Sequence, residues 1–269
     1  MHATWNAIVK VSGDRGDRLA VMAVVDSLCF IIALALTPLV SFPSPTVWMF
    51  LGASVVLAIG YKIALLGAYR HGDFTQAYPL MRGSAPLLVA VYAMSFGSDP
   101  LSATTFIGIA IVSAGLLSLV DWAHGRPLLL VFGFCTGAAL AAATLVDGTA
   151  VRNYVDPFTY IVWLEVLEHI ALPAYAIAFR RPQYISVLTT QWKPASIGAV
   201  NRVGSYGFML WAMSLAPIAP LAALREVSVV FGALIGYFVL KEKFGVRRIV
   251  ATGLVVAGIG VLQISRAVA

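Results

Sequence analysis

Nine apolar stretches, each close to the roughly 20 residues a helix needs to cross a bilayer, fill most of this chain. They fall near 19–40, 46–68, 75–97, 101–120, 128–150, 157–179, 195–215, 218–240 and 246–265. Pro, Gly and charge clusters separate them, among them Phe42-Pro43-Ser44-Pro45, Arg70-His71-Gly72-Asp73 and Lys241 to Gly245. The runs are helix-length and rich in Ala, Leu and Gly, which excludes the ten-residue alternating strands of an outer-membrane barrel. Charged residues make up 11% of the chain, against about 25% in a water-soluble domain. Such a chain covers a surface facing lipid and not one facing water. The fold class expected is an all-α polytopic membrane protein, with loops too short to hold a soluble domain.

The first segment differs. Met1 to about Ser12 looks like the last half of a spanning helix. Twelve helical residues rise about 18 Å, against a hydrocarbon core of about 30 Å. A first helix truncated at its start is one reading, and a short interfacial helix is the other.

A shift of 143 residues lays Tyr78-Pro79-Leu80-Met81-Arg82-Gly83 over Leu221-Ala222-Ala223-Leu224-Arg225-Glu226, and Asp99 over Glu242. With two more residues of offset, Gly108 and Gly115 fall over Gly253 and Gly260. An Arg early in a helix, an acid at its far end and a following Gly-spaced helix thus occur twice. The two halves, 1–120 and 128–265, each accommodate five helices if the first is completed. An odd number of helices inverts the second copy in the membrane, the usual construction of secondary transporters.

The start His2-Ala3-Thr4-Trp5-Asn6-Ala7, the two Arg helices and the Asp99 and Lys241-Glu242 ends resemble the EamA-type drug/metabolite transporters. The resemblance runs over essentially the whole chain. It implies a ten-helix bundle of two inverted five-helix repeats that carries small metabolites, by efflux or exchange, across the bacterial inner membrane. It fixes a class and no substrate.

Alternate loops divide the basic residues unequally. Lys10, Arg15, Arg18, Arg70, Arg126, Arg180, Arg181, Lys193, Lys241, Lys243, Arg247 and Arg248 fall on one side, and only Arg152 and Arg266 on the other. The positive-inside rule places the first side in the cytoplasm and the C-terminus outside. The family resemblance implies cytoplasmic termini instead, so the two arguments conflict.

Ionisable residues within spanning helices cost about 2.5–3.5 kcal/mol each on insertion scales and tend to face the bundle interior or a wet cavity. Here they are Lys62, Arg82, Arg202 and Arg225, with Asp26, Asp147, Glu165, Glu168, Glu226 and His169. Arg82 and Arg225 sit about equally far into helices that enter from opposite sides. Two readings follow. The arginines guard the two mouths of one cavity and hold an anionic or zwitterionic group in their planar forks, or each is one half of a buried ion pair, Arg82 with Asp26 and Arg225 with Asp147. Lys62, Arg202 and Glu226 join the gating candidates. Tyr78, four residues before Arg82 and so on its face, forms the best pocket guess with Trp163 and Asn201. Glu168 and His169, nearest the midplane, are candidates for proton coupling, with Asp147 and Glu165 at neighbouring levels. A plain hydrogen bond to a neighbouring helix is the alternative for Glu168 and His169.

The net charge of +6 comes with no basic run of the kind that binds nucleic acid. No Walker A loop, H-E-x-x-H, G-x-S-x-G or paired C-x-x-C occurs, so no cofactor, metal or catalytic residue is expected. Gly133/Gly137 and Gly232/Gly236 have the G-x-x-x-G spacing of close helix contacts, within one chain or in a homodimer. The function expected is a secondary transporter of a small polar metabolite, with the lipid bilayer and a small-molecule substrate as partners. An intramembrane enzyme and a non-transporting scaffold are the rival classes.

Overall fold

The computed structural model describes residues 15–72, 74–96, 101–122, 127–231 and 245–268. Met1 to Ser12, Asp99, Gly232, Gly236, Lys241 and Glu242 lie outside the described residues. Among those described, all regular structure is helical. The elements are α1 (Arg15–Leu36), a 3-10 turn (Thr37–Leu39), α2 (Pro45–His71), α3 (Phe74–Phe96), α4 (Ala103–Leu117), α5 (Pro127–Asn153), α6 (Pro157–Glu168), α7 (Ala171–Phe179), α8 (Arg181–Thr190), α9 (Trp192–Leu215), α10 (Ile218–Leu224) and α11 (Val246–Val268). Over the described residues, each expected apolar stretch is largely helical. Five spans among the described residues are long and apolar enough to cross a membrane: Leu19–Leu39, Pro45–His71, Pro127–Asn153, Pro157–Phe179 and Val246–Ser265.

The interhelical punctuation starts helices as well as ending them. Pro45, Pro127 and Pro157 each occupy the first helical position, where the missing N–H would have no partner in any case. Side-chain caps precede several helices. Asp156 accepts from Thr159 N at 2.9 Å and Ser102 from Thr105 N at 3.1 Å.

Two helical paths are interrupted. The expected single helix 157–179 breaks between α6 and α7, at His169 and Ile170. Pro173 explains the break, since it has no N–H for the His169 carbonyl four residues earlier and its ring clashes with that group. The stretch 218–231 breaks at Arg225 and Glu226, where Glu226 N bonds Ala223 O, Ser228 N bonds Arg225 O and Val229 N bonds Glu226 O, all of the tighter i→i+3 kind. One loop expectation needs correction. Residues 181–190, read as part of a basic loop, form α8. Its polar sequence has no long apolar run to signal a helix, yet Val187 is buried against α1 and α9.

The chain forms two compact units, residues 1–55 with 147–215 and residues 56–146 with 216–269. Each draws on both halves of the sequence, and the divisions fall inside α2 and α5. In the first unit, Ala20, Val21, Val24, Val25 and Cys29 pack one face of α1 against Val187 of α8 and Ala195 and Ala199 of α9. In the second, Ala85, Val89 and Ala90 of α3 meet Ile109 of α4, Ala219, Ala222 and Ala223 of α10 and Leu262 of α11. Large apolar side chains also point outward, such as Val56 and Ile63 on α2 and Ile249 on α11, a distribution that suits a surface solvated by lipid.

Small residues bring backbones together, as the G-x-x-x-G spacing suggested for Gly133 and Gly137. A Cβ on Gly133 would strike Leu80, and one on Gly137 would strike the Ser84 hydroxyl and the Met81 carbonyl. The Gly-spaced pair α4 and α11 behaves differently from its sequence alignment. Gly108 and Gly115 are crowded by α11, but Gly253 and Gly260, their counterparts by sequence, have open space. The close approach on α11 is made by Gly258, where an added Cβ would lie 2.7 Å from Val112 Cγ2 and 2.8 Å from Gly108 O. Backbone cannot yield as a side chain can. Gly258→Leu should therefore lower the stability measured by thermal unfolding in detergent by about 1–3 kcal/mol or more, and Gly253→Leu should leave it unchanged.

Candidate functional site

In the first unit, three helices converge on Arg202. From α9, its Nη1 donates to Asp26 Oδ1 on α1 at 3.1 Å, and its Nη2 to Glu168 Oε1 at the end of α6 at 2.9 Å. His169, at the break, is fully buried. Its Nδ1 lies 2.8 Å from the Glu165 carbonyl oxygen and 3.3 Å from Glu165 Oε2. Its Nε2 lies 3.6 Å from Asp26 Oδ1. The thiol of Cys29, one turn along α1 from Asp26, joins Glu165 and His169 in a group whose ligand-type atoms all lie within 4.8 Å of one another. Glu168 and His169 are thus linked through Asp26 and Arg202 in one network.

Asp147, buried in α5, accepts from Tyr160 Oη at 2.7 Å and from Tyr206 Oη. The two tyrosines come from α6 and α9, so Asp147 ties three helices through neutral donors. Beside this network an apolar cavity of about 310 Å³ is lined by Ala33, Leu36, Phe158, Ile161 and Trp211, among others, with Glu165 its one ionisable lining residue.

In the second unit, Arg82 and Glu226 form a buried ion pair, Nε to Oε2 2.8 Å, with 2% and 1% exposure respectively. Arg82 Nη2 also reaches Ser228 Oγ at 3.3 Å, and its guanidinium lies 5.8 Å from the centre of the Tyr78 ring. The shared face of Tyr78 and Arg82 is as the four-residue spacing implies. The acid partner sits in the break at Arg225 and Glu226, where Arg225 adds a second positive charge near the Glu226 carboxylate.

These partners differ from the ion pairs read off the sequence. Arg82 takes Glu226 and not Asp26, which serves Arg202 and faces His169. Asp147, proposed for Arg225, is held by tyrosines. Helix depth alone says which residues share a level but not which helices adjoin. Trp163 lies in the first unit. Its Nε1 donates to Ser41 O at 3.1 Å, and its ring packs against Phe42 and Trp48 at 5.3 and 5.5 Å, an aromatic cluster at the ends of the helices. Asn201 is half-buried on α9 and Lys62 half-buried on α2. Cys29, Tyr160 and Ser228 had no sequence signal of their own. Their roles come from what α6, α9 and α3 bring beside them.

The second unit thus holds a buried Arg–Glu pair at one helix interruption, and the first a charged network at another. No curated protein matches the chain in sequence. A crystal structure, described simply as that of a protein, is similar with a TM-score of 0.69 and 17% sequence identity, over 97% of this chain and 94% of that one. That likeness concerns the fold. The model of the EamA-like transporter family matches residues 128–264, half of the chain, and the protein belongs to that family of membrane transporters.

Proposed function

We propose that this protein is a secondary transporter that moves a small polar metabolite, anionic or zwitterionic, across the bacterial inner membrane by alternating access. The observation that carries the reading is the Arg82–Glu226 pair, buried between α3 and the broken turn that follows α10. A salt bridge in so dry a setting is weak evidence for stability, because desolvation offsets most of its Coulombic gain. It suits an exchange in which a substrate carboxylate or phosphate displaces Glu226 from the Arg82 fork. Tyr78 and Ser228 would then orient the incoming group. Two inverted five-helix repeats fit the same reading. The 143-residue shift that relates Arg82 to Arg225 also relates Asp26 to His169, and these two side chains face one another.

For proton coupling we propose Glu168 and Asp147 of the first unit as the carriers. The test is flux into proteoliposomes of amino acids, nucleobases, organic acids and phosphorylated metabolites, with and without an imposed pH gradient. At least one acid or zwitterion should accumulate faster with protein than without, and faster still with the gradient. Glu168→Gln should abolish the response to the gradient while downhill exchange persists. Flux no different from protein-free liposomes across the panel would sink the transporter reading. Accumulation indifferent to the gradient would sink the coupling.

A further inference from the structure

We propose that the break between α6 and α7 is a binding site for a divalent transition-metal ion of the zinc type, with Cys29, Glu165 and His169 as ligands and Asp26 as the fourth. Asp26 and Cys29 stand three apart on α1, and Glu165 and His169 four apart across the end of α6. These are the spacings by which two facing helices present paired ligands on one side each. The ligand atoms of Cys29, Glu165 and His169 already lie within 4.8 Å of one another, and all three residues are buried. Ligands around a tetrahedral zinc, at bond lengths of about 2.0–2.3 Å, are about 3.5 Å apart. Closure by about an ångström, within the reach of side-chain rotation, would complete the site.

The imidazole is set for the task. A carbonyl oxygen only accepts, so the 2.8 Å contact with Glu165 O puts the proton on Nδ1. That bond is the usual outer support of a metal-binding histidine. In the neutral ring it leaves Nε2 as an acceptor, 3.6 Å from the carboxylate oxygen Asp26 Oδ1. A metal ion placed between them would be bound by both. Arg202 does not take that place. It reaches Asp26 and Glu168 from α9, where it orients a ligating carboxylate. A set of sulfur, imidazole and carboxylate selects zinc or cobalt over magnesium or calcium, which prefer oxygen alone.

The test uses the full chain in detergent with Cys135→Ser, which leaves Cys29 as the single thiol. After chelator treatment the protein is titrated with Co²⁺. A thiolate-to-cobalt charge-transfer band in the near ultraviolet should appear, saturate at one equivalent and be displaced by Zn²⁺. His169→Asn should weaken binding by about 10-fold or more, and Arg202→Lys by about 10- to 100-fold through the outer support. Absence of the band in the Cys135→Ser protein would overturn the proposal without reliance on any variant of the site, and would leave a proton on His169 as the cation between Nε2 and Asp26. A band that survives Cys29→Ser would overturn it equally. Neither readout depends on transport.

Discussion

Arg82→Gln should abolish transport and also cost the folded protein about 3–5 kcal/mol, because the Glu226 carboxylate would remain buried without its partner. Loss of transport in that variant alone would be ambiguous, since a destabilised protein also fails to transport. The double change Arg82→Met with Glu226→Met separates the two effects. Replacement of both halves of a buried pair by apolar side chains is often neutral or stabilising, so the thermal midpoint in detergent should return to that of the parent. Transport should not return, because no guanidinium is left to take the substrate anion. A double variant that is stable and transports normally would reduce the pair to a structural element and remove the basis for an anionic cargo. Ser228→Ala, which removes only the 3.3 Å hydrogen bond, should cost about 1 kcal/mol or less.

The second large effect is expected at Arg202. Its fork is shared between Asp26 on α1 and Glu168 at the end of α6. Arg202→Gln leaves both acids without that cation, and a loss of about 3–5 kcal/mol is expected. Partial exposure of Arg202, 26% by side chain, places the figure toward the lower end. Arg202→Lys should recover only part, because a compact ammonium cannot reproduce a planar fork across two carboxylates on different helices. Limited proteolysis reports the local consequence. Cleavage near His169 and Ile170 should rise in Arg202→Gln before global unfolding, since Arg202 holds Glu168 beside an interruption that has no continuous helical hydrogen bonding. Equal resistance in the parent and the variant would show that the break is held by packing alone.

The sequence was informative wherever a single helix decides the outcome. Span positions follow from apolar runs, and the Tyr78–Arg82 face follows from a four-residue spacing. Family membership was readable too, from the paired Arg helices and their acidic ends. Partner choice was not readable, because Arg82 meets Glu226 through the packing of α3 against α10, and no periodicity encodes which helices adjoin. The alignment of Gly253 with Gly108 likewise does not say which glycine of α11 makes the close contact. Sequence counterparts need not share a packing face, and Gly258 holds the contact. The break at His169 did leave a mark in Pro173, four residues on, but a run of 23 apolar-rich residues read as continuous outweighed it. α8 left little mark, since its ten residues are too polar to look like a span and too short for a clear amphipathic pattern. The charge asymmetry of the loops concerns orientation, and the same residues carry no information about neighbours.

The interrupted segment Pro157–Phe179 also bears on how the chain is made. Its mean hydropathy of 1.5 is the lowest of the five candidate spans among the described residues, and it carries Glu165, Glu168 and His169 toward the hydrocarbon. Each acid costs about 2.5–3.5 kcal/mol on entry, so the segment partitions into the bilayer only marginally by itself. The guanidinium that offsets this cost lies on α9, which leaves the ribosome later. Stable insertion of the α6–α7 segment is therefore expected to depend on the later α9, which brings Arg202 to Glu168.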